Sequence, residues 1–344
     1  MSSNLLADFT RQMIASQHSG EVTFSWQGGE PTLMGLDFFK EAVRFQKEIA
    51  PPSLGVKNVI QTNGTRLTPA WCRFFKDHGF LVGLSLDGPP ELHNAYRRDR
   101  AGRGTFNQAL RAVNLLKGHK VDFNILCCVH RANQDHPLSV YRFFRDSLAV
   151  EFIQFIPILQ RKLDQYGRET DEISKHSVQS KAYGRFLISI FDEWIQRDVG
   201  QVFVQIFDLA LGAWLGAPPG LCVFAETCGR ALVLEHNGDL FACDHFVDSE
   251  HLLGNITQQP LLNMVNSKPQ VQFGHNKKDK VSATCLECPF WFACHGGCPK
   301  NRDEKGLNRL CGAYRAFFEH ISPAMNQMAD LIKQGRPAAD IMIL

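Results

Sequence analysis

Residues 24–35 read FSWQGGEPTLMG. A short apolar run ends in Gly28-Gly29-Glu30-Pro31, and a helix-like pattern begins at Leu36. Glycines directly after a strand let a ligand approach main chain that side chains would otherwise cover. The stretch is not a phosphate loop, because no Gly-Lys-Ser/Thr follows, and it is not the G-x-G-x-x-G dinucleotide fingerprint. A lone Gly-Gly after a strand is usually only a turn. Its meaning depends on what the neighbouring strands carry.

Reading outward, the chain alternates β-rich runs with helical patterns. Strands are predicted over residues 21–27, 56–62, 80–86, 121–129 and 151–157, and helices near 36–49, 69–78, 105–118 and 136–148. That order implies an α/β fold with a parallel sheet and outer helices, either a barrel or an open sheet. The strands are apolar on both faces, as buried parallel strands are. Two more strand ends carry polar groups: QTNG at 61–64 and SLDGPPELHNAYR at 85–97. Polar groups at the carboxyl ends of successive parallel strands converge on one mouth, where α/β sites form.

Beyond the alternation, residues 160–179 are polar without a period and read as a surface connection. Helices are predicted over 182–197 and 208–215, the second stopped by GAPPG at 216–220. From Cys222 the composition turns to Cys, Gly and Pro, with short strands and few long helices, and a last helix is predicted at 324–335. At the other end, Ser3 or Asn4 caps a helix with Leu5, Leu6, Phe9 and Met13 on one face. Asp8 and Arg11 interrupt that segment, so it is not a signal peptide.

Composition is that of an ordinary globular chain: 344 residues, 44% hydrophobic and 21% charged. Its 26 Phe point to an aromatic core. Lys and Arg exceed Asp and Glu by 37 to 35, so the net charge of +2 gives no reason to expect nucleic acid or an anionic membrane as partner. No apolar run has the length of a membrane span, and a cytoplasmic setting is the expectation.

In such a setting eleven cysteines do not suggest disulfides. Cys72, Cys127 and Cys128 read as core residues. The other eight are Cys222-x5-Cys228-x14-Cys243 and Cys285-x2-Cys288-x5-Cys294-x3-Cys298-x12-Cys311. Eight make two sets of four, which suits two four-thiolate metal centres. Spacing leaves zinc and iron–sulfur equally open. Within this region, 232–235 and 240–243 read as a hairpin about an Asn237-Gly238 turn, presenting Cys243, Asp244 and His245 at its end. Asp244 reads either as a turn cap or as an acceptor of a hydrogen bond that orients a metal ligand, or as a general base beside a redox centre. Spacing favours the former.

Taken together, TFSWQGGEPTL, QTNGT, FLVGLSLDGPPELHNAYR, FIQFIPI, CGRALVLEHNGDLFACDHF, LGNI and CHGGCPKNR…LNRLC resemble the radical S-adenosylmethionine enzymes with a C-terminal SPASM domain. More closely, they resemble the anaerobic sulfatase-maturating enzymes. The resemblance implies a partial (β/α)6 barrel at 1–200, a connecting helix and linker at 201–220, a SPASM domain at 221–320 and a C-terminal helix at 321–344. It implies that S-adenosylmethionine is held by the Gly28-Gly29-Glu30 backbone at its amino end. Ser85, Asp87 and Arg97 would hold its ribose and carboxylate, with Gln27 beside them. Two auxiliary [4Fe-4S] clusters would be ligated by Cys222, Cys228, Cys243 and Cys298, and by Cys285, Cys288, Cys294 and Cys311. Asp244 would be the base that deprotonates a Cys or Ser of a sulfatase polypeptide on its way to Cα-formylglycine. The electron donor would be a flavodoxin or ferredoxin.

The chain departs from that family in one respect. No Cys-x3-Cys-x2-Cys triplet, the ligand set of the radical cluster, occurs in the 344 residues. The expectation is an N-terminally shortened chain that lacks the first barrel strand with its loop and is inactive by itself. The alternatives are a SPASM enzyme that modifies another peptide, or a non-catalytic iron–sulfur or zinc module.

Overall fold

The computed structural model describes residues 1–17, 20–167 and 169–344. Its centre is a six-stranded, wholly parallel sheet. In chain order the strands are β1 (Glu21–Trp26), β2 (Gly55–Thr62), β3 (Leu81–Ser85), β4 (Phe123–Val129), β5 (Phe152–Pro157), the hairpin strands β6 (Arg161–Leu163) and β7 (Glu169–Ile173), and β8 (Phe203–Val204). The sheet order is β1-β2-β3-β4-β5-β8. Five of the six agree with the sequence pattern to within two residues at each end. β8 has no pattern to read, since it is two residues long. Tertiary pairing makes it a strand: Phe203 lies opposite Phe152, and their rings stack at 4.9 Å.

Register aligns the strand ends. Trp26 pairs with Ile60, Thr62 with Leu84, Ser85 with Leu126 and Val129 with Pro157. The residues that follow each strand therefore open on the same edge. Helices Leu36–Ile49, Pro69–Asp77 and Phe106–Gly118 form as the periodicity indicates, and Phe39, Trp71, Phe75 and Phe80 pack between them and the strands. The expected helix at 136–148 is α-helical only over Pro137–Arg142 and continues as a π-helical turn, Phe143–Ser147.

Several expectations are corrected. The first helix, Ser3–Ala15, is capped one residue earlier, by Ser2, whose side chain accepts from the Leu5 amide at 3.3 Å. The presumed connection at 160–179 contains the antiparallel β6–β7 hairpin, whose polar strands lack an apolar face to give a period. Residue 168 lies outside the described residues. The Cys-rich region holds two long helices, Lys268–Asp279 and Cys311–Lys333. The second runs through Pro323, whereas the predicted helix begins only at residue 324. Proline costs one helical hydrogen bond and a clash. Against that, the buried stripe Ala313, Tyr314, Phe317, Phe318, Ile321, Met325 and Met328 packs on helix Ser180–Arg197. Contact there is close: a Cβ on Gly184 would lie 3.2 Å from the Ala313 Cα. One continuous core thus joins the sheet to the Cys-rich region.

The predicted hairpin forms as β9 (Val233–Leu234) and β10 (Asp239–Phe241), joined by β11 (Leu252–Asn255) into an antiparallel sheet. Its turn is longer than the two-residue Asn237-Gly238 form. The Gly238 amide donates to Glu235 O, and Gly238 alone turns left-handed at φ +95°. This is the three-residue alternative, a turn closed by a glycine bulge.

Candidate functional site

At the end of β1 the chain turns through Gly28 (φ +94°) and Gly29 (φ +53°), conformations in which a side chain would strain the backbone. A Cβ on either would meet no heavy atom within 4 Å. The bare main chain faces open space, and that space is a cavity of about 1340 Å³. Glu30 fixes the loop. Its Oε1 accepts from the Thr32 amide (3.1 Å), Thr32 Oγ1 (2.6 Å) and Thr62 Oγ1 (2.7 Å), and its Oε2 accepts from the Asn63 amide (2.8 Å). The carboxylate of the first strand end is thus the clamp that binds it to the second.

At the third strand end, Asp87 is 1% exposed. Its carboxylate accepts from Arg97 Nε (2.5 Å), Arg97 Nη2 (3.1 Å) and the Cys128 amide (2.9 Å). Burial raises its carboxyl pKa, but the contacts with His130, Arg97 and Cys128 together win and hold it below the usual range. Asp87 therefore presents Arg97 and leaves the guanidinium as the reachable group. Three groups at the following strand end join in, of which the sequence points to neither His130 nor Asn133 as a site residue and reads Cys128 as core. Arg97 Nη2 stands 3.3 Å from Cys128 Sγ, Asn133 donates to Asp87 O and Cys128 O, and His130 Nε2 points at Asp87 Oδ2 from 3.7 Å. Cys128, read as packing, lines this network, while Cys72 and Cys127 are buried as expected. The signal was present: HRAN at 130–133 occupies the end of β4, where sites form.

The Cys-rich region reaches the same mouth. The Phe246 amide donates to Cys243 O, which makes Asp244 and His245 the corners of a turn. Asp244 Oδ2 accepts from Gln27 Nε2 at 3.1 Å, and Cys243 Sγ–H donates to Asp244 Oδ1 at 3.2 Å. Gln27, Gly28, Gly29, Glu30 and Asp244 line the cavity together with Cys222, Cys228, Cys243 and Cys298. Ser85, which ends β3, and Asp87, Arg97, Cys285, Cys288, Cys294 and Cys311 lie outside its wall.

The thiols fall electrostatically into two groups. Burial pushes Cys243 and Cys294 up to about 12, and raises Cys228, Cys298, Cys285 and Cys311. After burial, Cys228 feels Cys222, Cys298 feels Cys222 and Cys228, and Cys243 feels Cys298. Cys285 feels Cys311 and Cys288, and Cys294 feels Cys311, Cys285 and Cys288. Cys298 is thus grouped with cysteines far upstream in the chain. Among the described residues, no three Cys, His, Asp or Glu side chains are grouped tightly enough for a single metal ion. A four-iron cluster spreads its thiolates over four separate irons, and the two open sets of four soft donors fit that chemistry.

Residues 5–144 match the model of the radical SAM superfamily, and residues 222–289 match that of an iron–sulfur cluster-binding domain, SPASM. The chain is 42% identical to a serine-type anaerobic sulfatase-maturating enzyme of Bacteroides thetaiotaomicron, over 98% of this chain and 85% of the relative.

The chain belongs to the anaerobic sulfatase-maturating enzyme family.

A cysteine-type member from Clostridium perfringens is 34% identical over 93% of this chain and 86% of its own length. The structure of native anSMEcpe with bound AdoMet and Cp18Cys peptide superposes with a TM-score of 0.88 at 33% identity, covering 96% of this chain and 92% of that one. The expected α/β architecture, a radical SAM domain followed by a SPASM domain, is therefore that of this member of the family. Among the described residues, no helix is long and apolar enough to cross a membrane.

Proposed function

We propose that the chain binds S-adenosylmethionine and two auxiliary [4Fe-4S] clusters, and serves the oxidation of a Ser or Cys in a sulfatase polypeptide to Cα-formylglycine. The observation that carries this reading is the Gln27–Asp244 contact, which sets a carboxylate of the Cys-rich region beside the glycine loop in one cavity. The relatives' names, serine-type and cysteine-type, and a solved relative with both AdoMet and a peptide bound, support it.

The Gly28-Gly29-Glu30 backbone receives the amino end of the cofactor, and Ser85 and Arg97 its ribose and carboxylate, with Asp87 acting through Arg97. S-adenosylmethionine held there beside a reduced radical-type cluster would supply the radical chemistry for removing a hydrogen from Cβ of the target residue. Asp244 then accepts the proton of the target hydroxyl or thiol, because a carbon radical next to a deprotonated heteroatom gives up its electron readily; an auxiliary cluster would take that electron, and the aldehyde results directly from Ser, or from Cys by hydrolysis of the thioaldehyde with loss of sulfide. Gln27 orients Asp244 by bonding Oδ2. Oδ1 accepts from the Cys243 thiol in this structure, but a metal-bound thiolate has no proton to donate. Oδ1 is then available to the substrate. Cys222, Cys228, Cys243 and Cys298 hold the first auxiliary centre, and Cys285, Cys288, Cys294 and Cys311 the second. A flavodoxin or ferredoxin reduces the enzyme.

The 344 residues contain no Cys-x3-Cys-x2-Cys triplet. The chain alone is accordingly expected to bind S-adenosylmethionine without cleaving it. The experiment has two arms. Equilibrium dialysis of the anaerobically reconstituted chain should detect S-adenosylmethionine binding. The chain extended by a segment carrying the triplet, given reductant and sulfatase-derived Ser and Cys peptides, should yield formylglycine by mass spectrometry. Iron without S-adenosylmethionine binding would point to a non-catalytic module, and zinc without sulfide would sink the cluster assignment.

A further inference from the structure

Two cations are buried in the Cys-rich region with no carboxylate to balance them. Lys277 is 0% exposed and Arg302 5% exposed. Among the described residues, neither has an Asp or Glu oxygen within ion-pair distance. Lys277 Nζ donates to the carbonyls of Cys222 (2.6 Å) and Val223 (3.0 Å). Arg302 donates from Nη1 to Lys277 O (2.5 Å), from Nε to Gly296 O (3.1 Å), and from Nη2 to His295 O (3.2 Å) and Gly297 O (3.3 Å). Carbonyl dipoles satisfy hydrogen bonds but leave the net charge uncompensated. A lone charge in the interior is costly unless an opposite charge sits nearby.

Their hydrogen bonds set both beside the cysteines, which would supply the balancing charge as thiolates: Lys277 bonds the carbonyl of Cys222 itself, and Arg302 bonds the segment between Cys294 and Cys298. Lys277 feels Cys228, Cys222 and Cys298, all of the first set. Arg302 feels Cys285 and Cys294 of the second set together with Cys298 and Cys228 of the first. The backbone accounts for this placement. His295, Gly296 and Gly297 join Cys294 of one set to Cys298 of the other, and all three are left-handed, at φ +46°, +70° and +62°. That run curls three carbonyls inward around the guanidinium. A Cβ on Gly296 would meet Arg302 Nη2 at 2.9 Å and crowd Val281 more closely. The His-Gly-Gly bridge is therefore shaped to hold Arg302 where both sets meet.

We propose that Arg302 is a counter-charge shared by the two thiolate-held centres and Lys277 one private to the first, so that Arg302 sets both reduction potentials and Lys277 only one. A four-iron cluster on four thiolates is net anionic and gains a further negative charge on reduction, so a fixed cation nearby raises its potential. This rests on the two-cluster part of the proposed function.

The test is an EPR-monitored redox titration of the reconstituted chain, with the second centre's signal identified by its loss in Cys285→Ala. Wild type should first hold about eight iron and eight sulfide. Failure there rejects the two-cluster reading itself. Given two centres, Lys277→Gln should lower the potential of the first and leave the second in place, and Arg302→Gln should lower both. Arg302→Lys, which keeps the charge, should leave both near wild type. Unchanged potentials in Arg302→Gln, a shift of one centre only, or equal shifts in Lys277→Gln would overturn the proposal. If Arg302→Gln does not fold, Lys277→Gln and Arg302→Lys decide: a first-centre-only shift and preserved potentials support it, and any other pair of results rejects it.

Discussion

The Gln27 side chain donates to Asp244 across 217 residues of sequence, at 3.1 Å. One residue directly follows the first strand of the sheet and the other sits at a turn of the Cys-rich region, and both line the same cavity. A general base positioned in this way contributes on the order of 10²–10⁴ in rate. In the triplet-extended chain, Asp244→Asn should lose formylglycine by that order while still releasing 5′-deoxyadenosine, as read by mass spectrometry and chromatography. Full formylglycine yield would remove Asp244 from the role of base. Gln27→Ala should show a smaller loss of the same kind.

Asp87 and Arg97 make a second separable prediction. The Asp87 side chain is 2% exposed and that of Arg97 24%. Arg97→Ala should weaken S-adenosylmethionine binding roughly 10- to 100-fold, the worth of one charge-assisted hydrogen bond of about 1.5–3 kcal/mol. Asp87→Ala should also destabilise the fold by about 1–3 kcal/mol, since it leaves the half-buried Arg97 guanidinium without its charged partner. Denaturant titration beside calorimetric binding separates the two effects. Equal stability of Asp87→Ala and wild type would contradict it.

His93 gives a pH dependence. The ring is 1% exposed, and its Nδ1 faces the Asp87 amide at 3.3 Å and its Nε2 faces Thr105 Oγ1 at 3.1 Å. Burial, with Arg97 and His130 adding to it against the opposing pull of Asp87, lowers its pKa from 6.5 to about 4. The unfolded chain then binds the extra proton first as pH falls. Stability from this residue is therefore full above pH 6.5 and declines toward pH 4, by up to about 3 kcal/mol. Urea unfolding at pH 7 and pH 4.5 should show that drop, and His93→Gln should flatten it. An unchanged slope in the variant would count against the assignment.

Cluster removal should act on one helix above all. Cys311 is the first residue of the 23-residue helix Cys311–Lys333, where the helix dipole favours a thiolate. Chelation of iron, or Cys311→Ala, should raise amide hydrogen exchange at the start of this helix and lower the melting temperature, because metal binding supplies folding energy here. Exchange around Phe317–Ile321, buried against helix Ser180–Arg197, should change less. Uniform exchange along the helix would argue against a local anchor.

The sequence by itself determined the strand–helix alternation, the glycine turn, the loaded strand ends and the presence of eight ligand-type cysteines. Each of these is written locally, in periodicity, left-handed turns or residue type. Tertiary structure decided what local signals cannot hold. The two-residue β8 exists only through pairing with β5, and helix Cys311–Lys333 continues through Pro323 because its apolar stripe is buried. The Asp87 carboxylate meets Arg97 and the Cys128 amide, and that of Glu30 meets Thr62 and Asn63, contacts between strand ends that only the folded sheet brings together. The closeness of Cys298 to Cys222 and Cys228 in charge, and the bonding of Arg302 to the carbonyls of His295, Gly296 and Gly297, depend on how a three-residue left-handed stretch folds back on itself. Cys222 and Cys298 lie 76 residues apart in the chain, and no periodicity encodes that distance.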